Sequence, residues 1–241
     1  MWLEQPPAPN APPKAATALE MAIYEFEKKC DAYHATQYSP SLSNESPQER
    51  DKRLREWREA REHLEQERRR INTLASIEDG LVKYRMEFNA LTSSQRLERM
   101  RKEKHHPTKV LARHLLAEGE PKPSLQHVAH HLIPGKGRCK QKNLLAARIK
   151  LHLSGIRIND PRNGVWIPNL KTHKNHWATP EAPTHKSIHG VNYEHWISVQ
   201  FLPIPPGPTF VAKLRDVKMK IKSGTYPVKI ESPKDPLWSG K

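Results

Sequence analysis

Between Leu54 and Leu91 the residues Leu54, Trp57, Leu64, Ile71, Leu74, Leu81, Tyr84, Phe88 and Leu91 recur at three- and four-residue spacing. Such a run can bury one side only as a long helix. Its start is written in Ser46-Pro47-Gln48-Glu49, a capping box with proline at the first helical position. Glu49/Arg53, Asp51/Arg55 and Glu65/Arg69 offer i,i+4 pairs on the outer face. Gly80 is a candidate interruption, although a glycine inside a helix costs only about 1 kcal/mol. Upstream, Leu19, Ala22, Ile23, Phe26, Cys30 and Tyr33 predict an amphipathic helix of about five turns. The segment from Ser39 to Asn44 breaks it. The two helices are expected to form an antiparallel hairpin, or a coiled coil pairing between chains. This arm carries no recognisable chemistry and reads as a structural, docking or oligomer-forming element.

Composition argues against one large core. Only 36% of the residues are hydrophobic, and 22 prolines outnumber ten glycines, which favours stiff connections between small units. The formal net charge of +15 is unevenly placed. Residues 1–100 hold 16 Lys+Arg and 17 Asp+Glu, whereas residues 101–241 hold 25 and 9, a net of +16. Twelve of the 14 histidines also fall in this second part. A concentrated positive field reads as a surface for a polyanion. Cys30 and Cys139 form no ligand spacing and no disulfide framework, which points to a reducing compartment. No stretch approaches the ~20 apolar residues a membrane span needs. With no apolar signal core at the N-terminus, the expected location is the producer's cytoplasm, with any export independent of a cleaved signal.

The organisation expected is α+β: an N-terminal helical hairpin or coiled-coil arm, then a small domain with a helical insert. Residues 1–16 are a proline-rich, disordered lead, 17–105 the helical region, 106–123 a linker with a short helix, and 124–241 the second domain. In that domain Leu125 to His131 suits a strand and Asn143 to Leu153 a helix. Asp160-Pro161-Arg162-Asn163-Gly164 is a turn leading into a strand from Val165 to Pro168. Residues 169–184 read as a polar loop. Thr184 is placed to cap a helix from His185 to about Gln200, and Thr209 to Lys222 suits a last helix ending at Gly224.

Four histidines in this order carry the chemistry. His130 and His131 are adjacent on a strand, so their side chains point to opposite faces and cannot easily share one task. His185 and His189 stand one helical turn apart and can hold one ion together. One strand histidine completes a three-nitrogen set with an open position, the pattern of a catalytic ion. We assign His130, His185 and His189 as ligands and His131 as the unligated base that takes a proton from water. The ion would polarise the scissile phosphate and stabilise the leaving 3′ oxygen. Three imidazoles favour Zn2+, with Ni2+ and Co2+ close behind on ligand chemistry. His173 and His176 are a competing pair on a loop, and His127, His152 and His195 read as structural or surface residues.

Three ordered stretches resemble the AHH family of nucleases, in the HNH/endonuclease VII superfamily. They are Ala129-His130-His131-Leu132-Ile133-Pro134, Asn163-Gly164-Val165-Trp166-Ile167-Pro168, and Thr184-His185 with His189-Gly190 and Tyr193. The resemblance covers about residues 120–200 and implies a ββα-metal (HNH-like) site. It implies His131 as general base, His130 as first ligand, His185 and His189 as helix ligands, and Asn163 as the brace of the base-bearing loop. It also implies a βαα-like insertion at residues 138–160. The intervals from His131 to Asn163 and from Asn163 to His185 are longer than in compact members. Some members use Mg2+, so Mg2+ and Mn2+ stay open as the ion.

Lys136, Arg138, Lys140, Lys142, Arg148 and Lys150 crowd the insert and are expected to meet phosphates. No base-reading module is visible, which predicts weak sequence preference, and no RNA-type aromatic platform favours DNA. The resemblance extends to the toxic tips of bacterial polymorphic toxins and secreted effectors. On that reading the arm serves delivery or chaperone binding, and an acidic immunity protein covers the basic half. Two other classes fit the same residues: a non-toxic endonuclease of phage, recombination or restriction type, and a DNA-binding protein with a structural zinc.

Overall fold

In the computed structural model, which describes residues 16–37 and 45–240, the chain is α+β. The proline-rich lead up to residue 15 and the break at Ser39 to Asn44 lie outside the described residues. The described residues up to Glu78 form one compact unit, and those from Asp79 form another.

The first unit is built on α1 (Ala18–Gln37) and on α2 (Pro47–Asn89) as far as Glu78; α2 continues through Gly80 without interruption. Both starts carry reciprocal caps. The Glu49 carboxylate accepts the Ser46 N–H at 2.8 Å while Ser46 Oγ accepts the Glu49 N–H at 3.3 Å. Thr17 and Glu20 do the same for α1 at 2.7 and 3.1 Å. With Glu49 committed to its cap, Arg53 turns to Glu45 through two bonds of 2.6 Å. Glu65 pairs with Arg61 at 3.5 Å in place of Arg69. Lys29 of α1 lies 3.3 Å from His63 and 3.8 Å from Glu67 of α2, so the two helices meet side by side. None of the described residues in this unit is buried. Its apolar stripe is a helix face without a sealed core.

The second unit is organised by a two-stranded ribbon. β1 (His127–His131) pairs antiparallel with β2 (Gly164–Pro168), setting Ala129 opposite Trp166, His130 opposite Val165 and His131 opposite Gly164. Residues paired across an antiparallel ribbon share a face, and neighbours alternate. One face, with Ala129 and Trp166, packs on Leu111 and Leu115 of α4 (Lys109–Ala117). The other, with Val165 and Ile167, joins the main core under α5 (Gln141–Leu153), α6 (Val191–Phe201) and α7 (Pro208–Ser223). Leu144, Leu151, Trp196, Ile197, Phe201, Phe210, Leu214 and Ile221 fill that core. Ahead of α4, α3 (Ser93–Lys102) opens with a Thr92/Gln95 capping box. The unit therefore begins upstream of the expected boundary at 124, because α4 is sealed against the ribbon.

Two sequence expectations change here. Residues 138–160 contain one helix, α5, and no strand. The helix expected from His185 begins at Val191 instead, after Gly190 in extended conformation (φ −132°, ψ 173°). The His185 N–H goes to the Pro168 carbonyl at 2.7 Å and the Lys186 N–H to the Asn169 carbonyl at 3.1 Å, and the extended Gly190 ends the turn that starts there. Those donors extend the ribbon's edge. Only a single turn follows, with Ser187 and Ile188 donating to the Thr184 carbonyl at 3.0 and 3.3 Å.

Gly164 allows α4 to close on the ribbon, since a Cβ there would stand 2.6 Å from Leu111 Cδ1. Leu111 is fully buried and has little room to give. Gly164→Ala is expected to lower stability by about 1–3 kcal/mol in urea unfolding, the usual cost of overpacking. Leu111→Val in the same chain should return part of that loss, a coupling that additive costs would contradict.

Candidate metal centre and base

The ribbon delivers His130 and His131 to opposite sides, as their adjacency requires. His130 faces α6. Its Nε2 lies 3.1 Å from the Tyr193 hydroxyl, which itself donates to the Leu132 carbonyl at 2.9 Å. With its proton given to Leu132, the hydroxyl can only accept from His130, so His130 is protonated on Nε2. That leaves Nδ1 as the electron-pair donor. His130 Nδ1 stands 3.2 Å from His185 Nδ1, and His185 Nε2 stands 2.8 Å from His189 Nε2.

His130, His185 and His189 each offer one ligand atom within 4.8 Å of the others. A single turn pinned to the end of β2 brings His185 and His189 together, not a helix face. Burial, followed by the mutual influence of the rings, holds His130 well below the usual imidazole range and His185 down to about 4. His189 is lowered too, first by burial and then by Arg138 and His106. Neutral imidazoles are the form that binds a cation. Donor type, convergence and protonation state therefore fit a divalent metal ion, which His130, His185 and His189 would hold.

His131 occupies the other face and is absent from that set. Its Nε2 lies 3.0 Å from Asn159 Oδ1, while Asn159 Nδ2 donates to the Lys104 carbonyl at 3.1 Å. The amide is thereby oriented with its oxygen towards the ring. His131 donates from Nε2 and keeps a lone pair on Nδ1. Burial lowers His131 to about 4, with His105, His106 and Arg148 adding to the effect against the Asn159 bond. Asn159 is itself gripped on both backbone groups, its N–H by Tyr84 Oη at 3.2 Å and its carbonyl by His114 Nδ1 at 2.8 Å. Next to it, burial would raise the Asp160 carboxyl, but Arg162 and Arg85 hold it down to about 2. Those pairs fix the loop that carries Asn159 and Asn163.

Asn163 is fully buried and touches backbone only. Its Oδ1 accepts the Ile133 N–H at 2.9 Å and its Nδ2 donates to Ile158 and Ile133 carbonyls at 3.0 and 3.3 Å. It braces the chain just after His131 by tying Ile133 to Ile158.

A cleft of about 510 Å³ joins the two histidine faces, lined among others by His130, His131, His185, His189, Lys136, Arg138 and Glu194. The six basic residues of the insert divide. Lys136, Arg138 and Lys142 are exposed and Lys140 half-buried at or beside the cleft. Arg148 is instead spent on the Gly135 and Met100 carbonyls at 2.5 and 2.8 Å, and Lys150 on those of Leu202 and Ile204 at 2.5 and 2.9 Å. Both cations close loop ends inside the unit, so neither is available to phosphate. The competing pair is elsewhere: His176 packs on His127 at 4.6 Å, and His173 accepts the Leu170 N–H at 3.4 Å.

Sequence reasoning passed over Asn159, Glu194 and the role of Tyr193. Glu194 accepts the N–H groups of Arg138, Cys139 and Lys140 at 2.6, 2.8 and 2.7 Å. It gathers the three N–H groups of the loop that leads into α5, from a neighbouring helix. Glu194 lies one residue beyond the Tyr193 of the quoted motif, and only the fold reveals its partners. His105 and His106 also line the cleft, their ring centroids 6.4 and 6.5 Å from that of His131.

Residues 111–204 match the AHH family. It is described as a nuclease family of the HNH/ENDO VII superfamily with conserved AHH. The AHH match takes in the ribbon, α5, the His185–His189 turn and α6, and spans less than half of the chain. No curated protein matches the chain, and no solved structure does. The matched segment contains all four AHH-region histidines but neither Tyr84 nor Lys104, the contacts that hold Asn159 from outside it.

Tyr193→Phe removes the hydroxyl that fixes the His130 tautomer while keeping the ring in the core. Zn2+ affinity, measured by competition with a chelating indicator, should fall about 10–100-fold, as for other partners of metal ligands. Parent-like affinity would show that the hydroxyl does not orient His130.

Proposed function

We propose that this protein is a metal-dependent endonuclease that hydrolyses phosphodiester bonds, acting on DNA with little sequence preference. The observation that carries the reading is the pairing of a convergent three-imidazole set with a separate neutral imidazole on the opposite face of the same strand. A bound divalent ion supplies Lewis-acid stabilisation of charge on the phosphate and the departing oxygen. His131 accepts a proton from the attacking water on Nδ1, and Asn159 keeps that nitrogen unprotonated. Lys136, Arg138, Lys140 and Lys142 draw the backbone of the nucleic acid to the cleft without reading its bases. Zn2+ is the preferred ion on donor chemistry, with Ni2+, Mn2+ and Mg2+ as the alternatives to compare.

The net charge of +16 over residues 101–241 supports a further step, that the protein is a delivered antibacterial toxin or effector restrained by an acidic immunity protein. In that role the helical arm would engage a delivery or chaperone partner, or a second copy, and the nuclease would act in the target cell's cytoplasm. The charge difference between the two parts of the chain motivates this reading.

The decisive test is plasmid nicking by the full chain with Zn2+, Ni2+, Mn2+ or Mg2+, with and without chelator. Cleavage is expected with at least one ion and is expected to disappear on chelation. His131→Ala should retain metal content and fold while losing about 10²–10⁴-fold in rate. Full cleavage by His131→Ala would remove the base, and no cleavage by the parent with any ion would remove the nuclease reading.

A further inference from the structure

The loop between α3 and α4 lies upstream of the matched residues, yet two of its histidines stand at the mouth of the cleft. The loop is firmly held. Lys104 accepts from Asn159 Nδ2 at 3.1 Å, and Glu103 takes the Tyr84 hydroxyl at 2.7 Å and the Arg157 guanidinium at 2.9 Å. His105 wedges over Gly135, where a Cβ would fall 2.2 Å from the ring, and its centroid is 4.5 Å from that of His106. His106 is exposed and lines the cleft. Among the described residues it has ring contacts with His105 and His131 but no hydrogen-bond or ion-pair partner. An imidazole with unspent donor capacity, on a held loop and facing a cleft rimmed by Lys136 and Arg138, is placed to bind an anion.

Its position between the two halves of the site is the second observation. The His106 ring centroid stands 6.5 Å from that of His131, in the same cleft that His185 and His189 line. A phosphodiester attacked by water at His131 would lie in that same cleft. Lys136 and Arg138, both exposed, rim the cleft beside it.

We propose that His106 is a substrate-binding residue, its ring N–H donating to a non-bridging oxygen of the scissile phosphodiester, with Lys136 and Arg138 on adjoining phosphates. The assignment rests on the endonuclease reading above. It means that part of the substrate grip comes from outside the residues that match the AHH family.

The test uses the full chain carrying His106→Ala or His106→Gln, the second keeping an N–H donor. Three quantities are measured: kcat/KM for cleavage of a short duplex DNA, affinity for the same duplex under chelation where it stays intact, and zinc content with thermal midpoint. His106→Ala should lower kcat/KM at least tenfold and weaken duplex binding about tenfold. His106→Gln should recover most of both, with zinc content and thermal midpoint parent-like in each variant. Parent-like kcat/KM and affinity in His106→Ala overturn the assignment and leave the nuclease reading standing. Loss of zinc or of stability also overturns it, by giving the ring a ligand or structural role. A parent chain that cleaves nothing with any ion removes the nuclease reading, and this assignment falls with it.

Discussion

The antiparallel pairing of His127–His131 with Gly164–Pro168 is the constraint on which the rest of the second unit depends. The ribbon fixes the alternation that separates His130 from His131. Its far end supplies the Pro168 and Asn169 carbonyls that pin His185 and Lys186 beside His130. Its near end, through Gly164, lets α4 approach closely enough to bury one face. A one-residue slip in this register would exchange the two histidines between faces and dissolve the site.

Electrostatics then gives each ring its task. Tyr193 acts on His130 and Asn159 on His131 by the same device: a partner whose own hydrogen bond is already spoken for. In both rings Nε2 carries the proton and Nδ1 is left as the basic atom. Burial keeps both neutral, so the two faces differ by neighbours and not by protonation. On one side the lone pair meets two more imidazoles; on the other it is left without a competing ligand.

Much of this was legible in the sequence because it depends on short-range spacing. Adjacency of His130 and His131 on a strand sets opposite faces wherever the strand sits, and the capping boxes and glycine stops are local. The helix expected to carry His185 and His189 stops after one turn, at the extended Gly190, and restarts at Val191. The two residues still converge, through one turn. The basic run divides because charge says nothing about whether a carbonyl waits nearby, as it does for Arg148 and Lys150. Asn159, Glu194 and His105–His106 escaped notice since their partners lie 25 or more residues away in sequence. The first unit shows the converse limit, a readable helix face that buries nothing within its own described residues.

The central claim is that three imidazoles bind one ion while the fourth stays unligated in a fixed tautomer. Ring-nitrogen NMR of the zinc-loaded, isotope-labelled chain reads both properties at once. The account predicts metal-shifted resonances for His130, through Nδ1, His185 and His189, and a neutral, uncoordinated His131 protonated on Nε2. A metal-bound His131, or a His130 untouched by zinc, would contradict it.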